Sequence, residues 1–256
     1  MDNKGKSQVL IPRNLCELKH ESNIHVNDEG FSPVEISWDK GVVSSIKSIK
    51  GQKNLIKKVL FPRFVESHAH FDKSFSWINY PNLQSTYENA LSVNLEEHVT
   101  RTANTVLKRA EKSLNLAIKN GYRAIRSHVD TYNLQDQEIW LKLFQLQKKY
   151  SELVTLQFVS LAQIDFWGTK EGDLFAKNFK LNNGILGGVL VPPFDKPRII
   201  KSLSDMLLLA KKYKLEVDLH IDESSVEPGS GIKILLNTIE KLNTKVKVTC
   251  SHSSSL

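Results

Sequence analysis

An α/β architecture built on a parallel sheet, preceded by a small all-β segment, is what this 256-residue sequence predicts. Two observations carry the prediction. Beyond Phe64, apolar and β-branched runs of strand length alternate with longer segments whose apolar residues recur every three and four positions. The later units repeat at about 30 residues, the size of one strand plus one helix in a parallel sheet.

In chain order, Gln8–Pro12, Val34–Trp38, Val42–Ile49 and Lys57–Phe61 read as short strands, with turn signals at Asn27-Asp28-Glu29-Gly30 and Lys50-Gly51. They define an N-terminal β subdomain over residues 1–61, with the boundary to residues 62–256 near Phe61-Pro62. Six further strand candidates follow: Phe64–His68, Ala124–Val129, Val154–Leu161, Ile185–Val191, Leu215–His220 and Val246–Ser251. Between them Glu96–Lys119, Gln137–Lys148, Lys196–Lys212 and Gly231–Leu242 read as crossover helices, the first with an apolar stripe of Leu107, Ala110, Leu114 and Ala117. An eight-stranded βα barrel and an open doubly wound sheet both fit this alternation. The first helix lacks a glycine-rich phosphate turn, which counts against a dinucleotide fold.

Composition narrows the function classes. A chain 40% hydrophobic and 25% charged is ordinary globular protein, which excludes disordered and collagen-like classes. No run approaches the roughly 18 to 20 apolar residues of a membrane helix, and Met1–Arg13 is polar, so a soluble, cytoplasmic protein is expected. Cys16 and Cys250 are too far apart in sequence to argue a disulfide framework or a thiolate zinc cluster. The net charge of +7 is spread over several lysine-bearing segments, as on solvated helix faces, rather than gathered into a nucleic-acid stripe. The expected partner is a small-molecule substrate, with neither nucleic acid nor membrane. Homo-oligomerisation stays open.

The chemistry concentrates at strand ends. In Phe64-Val65-Glu66-Ser67-His68-Ala69-His70-Phe71-Asp72-Lys73 an apolar strand runs into two histidines one residue apart, which face the same side of an extended backbone. Two imidazoles there can hold one divalent metal while leaving positions open for water and substrate. Among eight histidines such a pair is cheap, so position carries the weight. His220 ends another strand, with Glu223 three residues on as a nearby acid, and His252 ends the next. All four histidines fall at the carboxyl edge of a parallel sheet, where active sites of such folds form. His128 and Asp130 also close a strand, for orienting a ligand or loop or for plain structural hydrogen bonding. His20, His25 and His98 carry no assigned role.

The segments Phe64–Asp72, Ser127–Asp130, His220–Glu223 and Ser251-His252, in that order, resemble bacterial cytosine deaminases of the metal-dependent amidohydrolase superfamily. The resemblance implies a TIM-like (β/α) barrel, here incomplete with six of eight strands. It implies one divalent metal ion, Fe2+ or Zn2+, on His68, His70 and His220, completed by an eighth-strand aspartate that has no counterpart up to Leu256. The expectation is therefore a C-terminally truncated barrel with an incomplete ligand set. By the same resemblance Glu223 shuttles a proton to the ring nitrogen, His252 orients and activates the metal-bound water, and Gln163 holds the pyrimidine. No lysine in Gly187–Pro192 matches the bridging residue of two-metal relatives, so a mononuclear site is implied. The expected reaction is hydrolytic deamination of cytosine or a related amino-substituted nitrogen heterocycle by attack of metal-bound water. The alternatives are hydrolysis of another C–N bond, such as a cyclic amide, and a non-catalytic remnant acting as a binding module.

Overall fold

The computed structural model describes residues 4–15, 25–49, 56–131 and 136–256. The turn expected at Lys50-Gly51, together with Cys16 and His20, lies outside them. The chain divides into two compact units, Met1–Arg63 and Phe64–Leu256.

The first unit is an antiparallel sheet of β1 (Lys4–Pro12), β2 (Phe31–Asp39) and β3 (Val42–Ser48) in the order β1-β2-β3. β2 and β3 are joined through Lys40-Gly41, both at positive φ (52° and 76°), the backbone a two-residue hairpin turn needs to match strand twist. Alternation places Val9, Ile11, Val34 and Ile36 on one face as a small core, flanked by Trp38 and Ile46. The run expected as a strand at Lys57–Phe61 makes only a single parallel bridge, Val59 with Leu10. Pairing there rests on two backbone hydrogen bonds, Leu10 N to the Lys58 carbonyl and Leu60 N to the Leu10 carbonyl.

The second unit is a six-stranded parallel sheet of β4 (Phe64–Ala69), β5 (Tyr122–Asp130), β6 (Thr155–Ala162), β7 (Ile185–Leu190), β8 (Val217–Ile221) and β9 (Val248–His252). The spatial order equals the sequence order, β4 through β9, so each strand is added on the same side as the last. A doubly wound sheet reverses direction at a switch point and a barrel does not, which decides between the two architectures. The sheet is also curled. Five strand spacings would put β4 and β9 about 24 Å apart if flat, yet the rings of His68 and His252 lie 4.6 Å apart, centroid to centroid. The fold is an incomplete TIM-like barrel carrying an N-terminal antiparallel sheet.

The strands split their side chains between two environments. On β8, Val217, Leu219 and Ile221 join the apolar core beneath the helices, while Asp218 and His220 face the concave side. The helices are α1 (Tyr87–Thr100), α2 (Ala103–Lys119), α3 (Gln137–Lys149), α4 (Lys170–Lys180), α5 (Lys196–Tyr213) and α6 (Ser230–Leu242). Their buried faces meet the sheet through Leu114, Leu143, Leu203 and Met206, and through rings such as Trp140 and Phe179, 4.5 Å apart and edge to face. Two departures from expectation are informative. The single helix expected over Glu96–Lys119 is two, broken at an extended Arg101 (φ −70°, ψ 125°), after which Thr102 caps α2 by accepting from the Thr105 N–H. Helix α4 arises from a segment with Gly172 in its first turn, where a Cβ would collide with the Phe166 carbonyl oxygen.

Phe158 on β6 is fully buried in the sheet–helix core. Phe158→Ala is expected to destabilise the chain by about 3–5 kcal/mol, read from urea denaturation midpoints.

Candidate active site

The strand ends fill the concave side of the sheet with imidazoles. His68 lies inside β4 and His70 just beyond it, so pleat alternation aims both rings the same way. Their Nε2 atoms are 3.2 Å apart, and His220 Nε2 from β8 is 3.4 Å from that of His70. Two nitrogens on one tetrahedral cation at 2.0–2.1 Å stand about 3.3 Å apart. The corresponding ring centroids, 5.1 Å for His68–His70 and 5.4 Å for His70–His220, leave room for an ion between converging lone pairs. One ligand atom from each of His68, His220 and His252 also lies within 4.8 Å of the others, as does one from each of His68, His70 and His128.

Solvent exclusion keeps His68, His70 and His220 neutral. Burial lowers His68 to about 4, helped by His128 and His252 nearby. Burial lowers His70 and His220 further, with Lys73 and then His220 acting on the former and His128 and then His68 on the latter. Neutral imidazoles present lone pairs, the form that binds a cation. The His68–His70 and His70–His220 pairs are each spaced to share one divalent ion, and among the described residues the groups of three with mutually close ligand atoms are His68, His220 and His252, and His68, His70 and His128.

His252 reaches this cluster by a backbone irregularity. Its register partner is Ile221, which faces the helices, so regular pleating would turn His252 away from the site. A left-handed φ of 71° at His252 breaks the alternation. Its ring stands 4.7 Å from that of His220, and its Nδ1 lies 3.2 Å from Glu223 Oε1. Both side chains keep about a quarter of their surface in solvent, 29% and 24%. Gln163 follows β6 at the same sheet edge, exposed, with its amide not used to cap the next turn. It takes no part in the imidazole cluster.

A buried ionic network, which motif reading did not identify, anchors the region behind β4. Arg101 Nη1 donates to Asp72 Oδ2 (3.1 Å) and Asp130 Oδ2 (3.3 Å), and its Nη2 donates to Glu97. Lys73 bridges to both oxygens of Asp130 (2.9 and 3.0 Å), Asn94 donates to Asp130, and Arg109 to Glu97. The network accounts for the helix break, because Arg101 gives up helical geometry to reach Asp72, just beyond β4, and Asp130 at the end of β5. Burial and then the adjoining Asp130 charge push Asp72 up. Burial would raise Asp130 as well, but Lys73, Arg101 and Asn94 outweigh it and hold that group below the usual carboxylate range. Asp130 is thus an anchor for this network.

A second group lies deeper on the concave side. Asp218, fully buried, accepts from Ser251 Oγ (2.6 Å) and Arg126 Nη1 (2.7 Å), and its Oδ1 is 3.3 Å from His128 Nε2. A signal for Asp218 was present: it lies two residues before His220 in an otherwise apolar strand, and so shares its face. An apolar cleft of about 770 Å³ between β4 and α2, lined by Phe64, Phe71, Phe75, Leu116 and Tyr122, contains none of the imidazoles.

Arg101→Ala removes the ion-pair partner of buried Asp72 and one partner each of Glu97 and Asp130, and is expected to cost about 3–5 kcal/mol in denaturation experiments. Burial raises Glu97, but hydrogen bonds from Arg101 and Arg109 more than reverse this, leaving its folded pKa below the unfolded value. Its contribution is therefore complete above about pH 4.3 and lost as pH falls through the folded pKa. Glu97→Gln should be less stable than the parent at pH 7, with the difference shrinking at pH 3.

No family model matches the sequence. The pterin deaminase of Rhizobium rhizogenes (strain K84) is 27% identical over 203 residues, 77% of this chain and 45% of that protein. The N-isopropylammelide isopropyl amidohydrolase of Pseudomonas sp. (strain ADP) is 26% identical across 97% of this chain and 62% of its own length. The chain therefore spans about half to three fifths of these curated relatives. The crystal structure of 5-methylcytosine deaminase from Klebsiella pneumoniae liganded with phosphonocytosine shares the fold, with a TM-score of 0.75 and 17% identity, over 98% of this chain and 60% of that one. Sequence similarity to these two hydrolases and the shared curled-sheet fold agree with the resemblance to metal-dependent amidohydrolases.

Proposed function

We propose that this chain carries the metal-binding half of a hydrolase that deaminates cytosine or a related amino-substituted nitrogen heterocycle. The observation that carries the reading is the approach of the His68, His70 and His220 Nε2 atoms, at 3.2 and 3.4 Å, beside a solvent-accessible His252–Glu223 pair. These three imidazoles would hold one divalent ion, Fe2+ or Zn2+, which supplies a Lewis acid and lowers the pKa of water toward about 7.

The chain's own residues handle binding and protons. Deamination needs a proton delivered to a ring nitrogen and another to the departing ammonia. Glu223 can carry protons between the water and the heterocycle, and His252 Nδ1, 3.2 Å from Glu223 Oε1, holds the carboxylate at the mouth of the site. The uncommitted amide of Gln163 offers one donor edge and one acceptor, the pattern a pyrimidine edge requires. The wall formed by β7, β8 and the later half of β6, from Phe158 on, is buried almost throughout and shields the polar groups from bulk water on that side.

A second reading, hydrolysis of an alkylamine substituent rather than a ring amino group, is favoured by kinship with the isopropyl amidohydrolase along nearly the whole chain. Both are tested by loading the purified chain with Zn2+ or Fe2+ and measuring ammonia from cytosine and pterin, and isopropylamine from N-isopropylammelide. Ammonia is the expected product. Glu223→Gln should lower kcat by about 10²–10⁴-fold with the metal retained, and His70→Ala should lose the metal. Isopropylamine alone would favour the second reading. A folded chain that binds no divalent ion and releases neither amine would leave a non-catalytic module.

A further inference from the structure

A ligand imidazole is usually held in place by a hydrogen bond from its second nitrogen to a carboxylate or carbonyl. Here that device is missing: the Nδ1 atoms of His70 and His220 are buried without a hydrogen-bond partner. Packing must orient the rings instead, and the contact of His68 with His128 shows how.

The two rings are stacked, with centroids 4.0 Å apart and planes 27° apart. An ion held by His68 would sit along the in-plane lone pair of that ring, and the nearly parallel His128 ring occupies a different layer. Its in-plane lone pair therefore cannot be aimed at the same ion, despite its proximity to His68 and His70. His128 is instead a floor against which His68 lies. That floor is itself fixed. His128 is completely buried, and its Nε2 lies 3.3 Å from Oδ1 of the equally buried Asp218, a close approach without hydrogen-bond geometry, so the carboxylate holds the ring by contact. Ser251 and Arg126 hold the Asp218 carboxylate from β9 and β5 by hydrogen bonds of 2.6 and 2.7 Å, and Arg126 is braced in turn by Thr249 (3.2 Å) and Gln157 (3.1 Å).

We propose that Asp218 and His128 form a buried positioning pair: Asp218 fixes the His128 ring, and the stacked His128 ring sets the plane in which His68 meets the metal. The inference rests on the proposed metal role of His68. Strands β5, β8 and β9 are thereby tied through one carboxylate to the ligand on β4, so a change at Asp218 is transmitted to a ligand it does not touch.

The test uses the full chain and Co2+, measuring affinity by chelator competition and geometry by visible absorption. Asp218→Asn removes the charge but keeps the shape, and His128→Phe keeps a flat ring on His68 but deletes the nitrogen facing Asp218. Each is expected to weaken Co2+ binding about 10–100-fold and to shift the absorption bands. Because Asp218 acts through His128, the double variant should bind no more weakly than His128→Phe alone. Ser251→Ala, a milder change that loosens the carboxylate, should weaken binding about threefold or more by the same route and serves if either larger substitution prevents folding. A purely structural role would lower the thermal midpoint of the metal-free chain while leaving the affinity and spectrum of the folded variants unchanged. That result, or affinity losses that multiply in the double variant, overturns the proposal. His68→Ala separates this from failure of the underlying reading: if it leaves Co2+ binding intact, His68 is not a ligand.

Discussion

The curvature of the parallel sheet is the constraint on which everything else depends. Side chains from β4, β5, β8 and β9 meet on its concave side, which strands laid flat could not allow. The usual filling of such a barrel interior is branched aliphatic side chains in layers. Here part of that layer is replaced by imidazoles and, deeper, by Asp218, Arg126 and Ser251. Asp218, Arg126 and Ser251 satisfy one another across strands distant in sequence, while the Nδ1 atoms of His70 and His220 stay without a hydrogen-bond partner. The same interactions that hold the curled sheet together therefore determine where the imidazole nitrogens point.

Two buried charge systems divide the task. One lies behind the start of the site, where Arg101 and Lys73 neutralise Asp72, Glu97 and Asp130 and fasten α1 to the ends of β4 and β5. The other lies beneath the imidazoles and centres on Asp218. Neither is a cheap source of stability, because desolvating the charges offsets much of their attraction. What they contribute is position. Each fixes a segment carrying a site residue in a geometry that apolar packing alone would leave loose.

Much of this was legible in the sequence because it depends on local periodicity. The alternation of apolar runs and amphipathic segments gave the parallel sheet, and the one-residue spacing of His68 and His70 put both rings on one side of β4. What escaped depends on contacts between distant residues. The stripe through Leu107, Ala110, Leu114 and Ala117 continues back toward Glu96 past the capping threonine Thr102, and the break at Arg101 is made with Asp72 and Asp130, carboxylates remote in sequence. His252 illustrates the same limit at a single residue. Its place at a strand end was readable, but regular pleating would have pointed it the wrong way, and only its left-handed backbone brings it to Glu223. Asp218 was readable from its spacing to His220, although its partners, contributed by β5 and β9, were not.

The central claim is that His68, His70 and His220 share one cation. X-ray absorption fine structure of the Zn2+-loaded chain tests it most directly. The account predicts a first shell containing three imidazole nitrogens at about 2.0–2.1 Å, with the outer-shell scattering of rigid imidazole rings. A shell of oxygen atoms alone, without imidazole scattering, would contradict it.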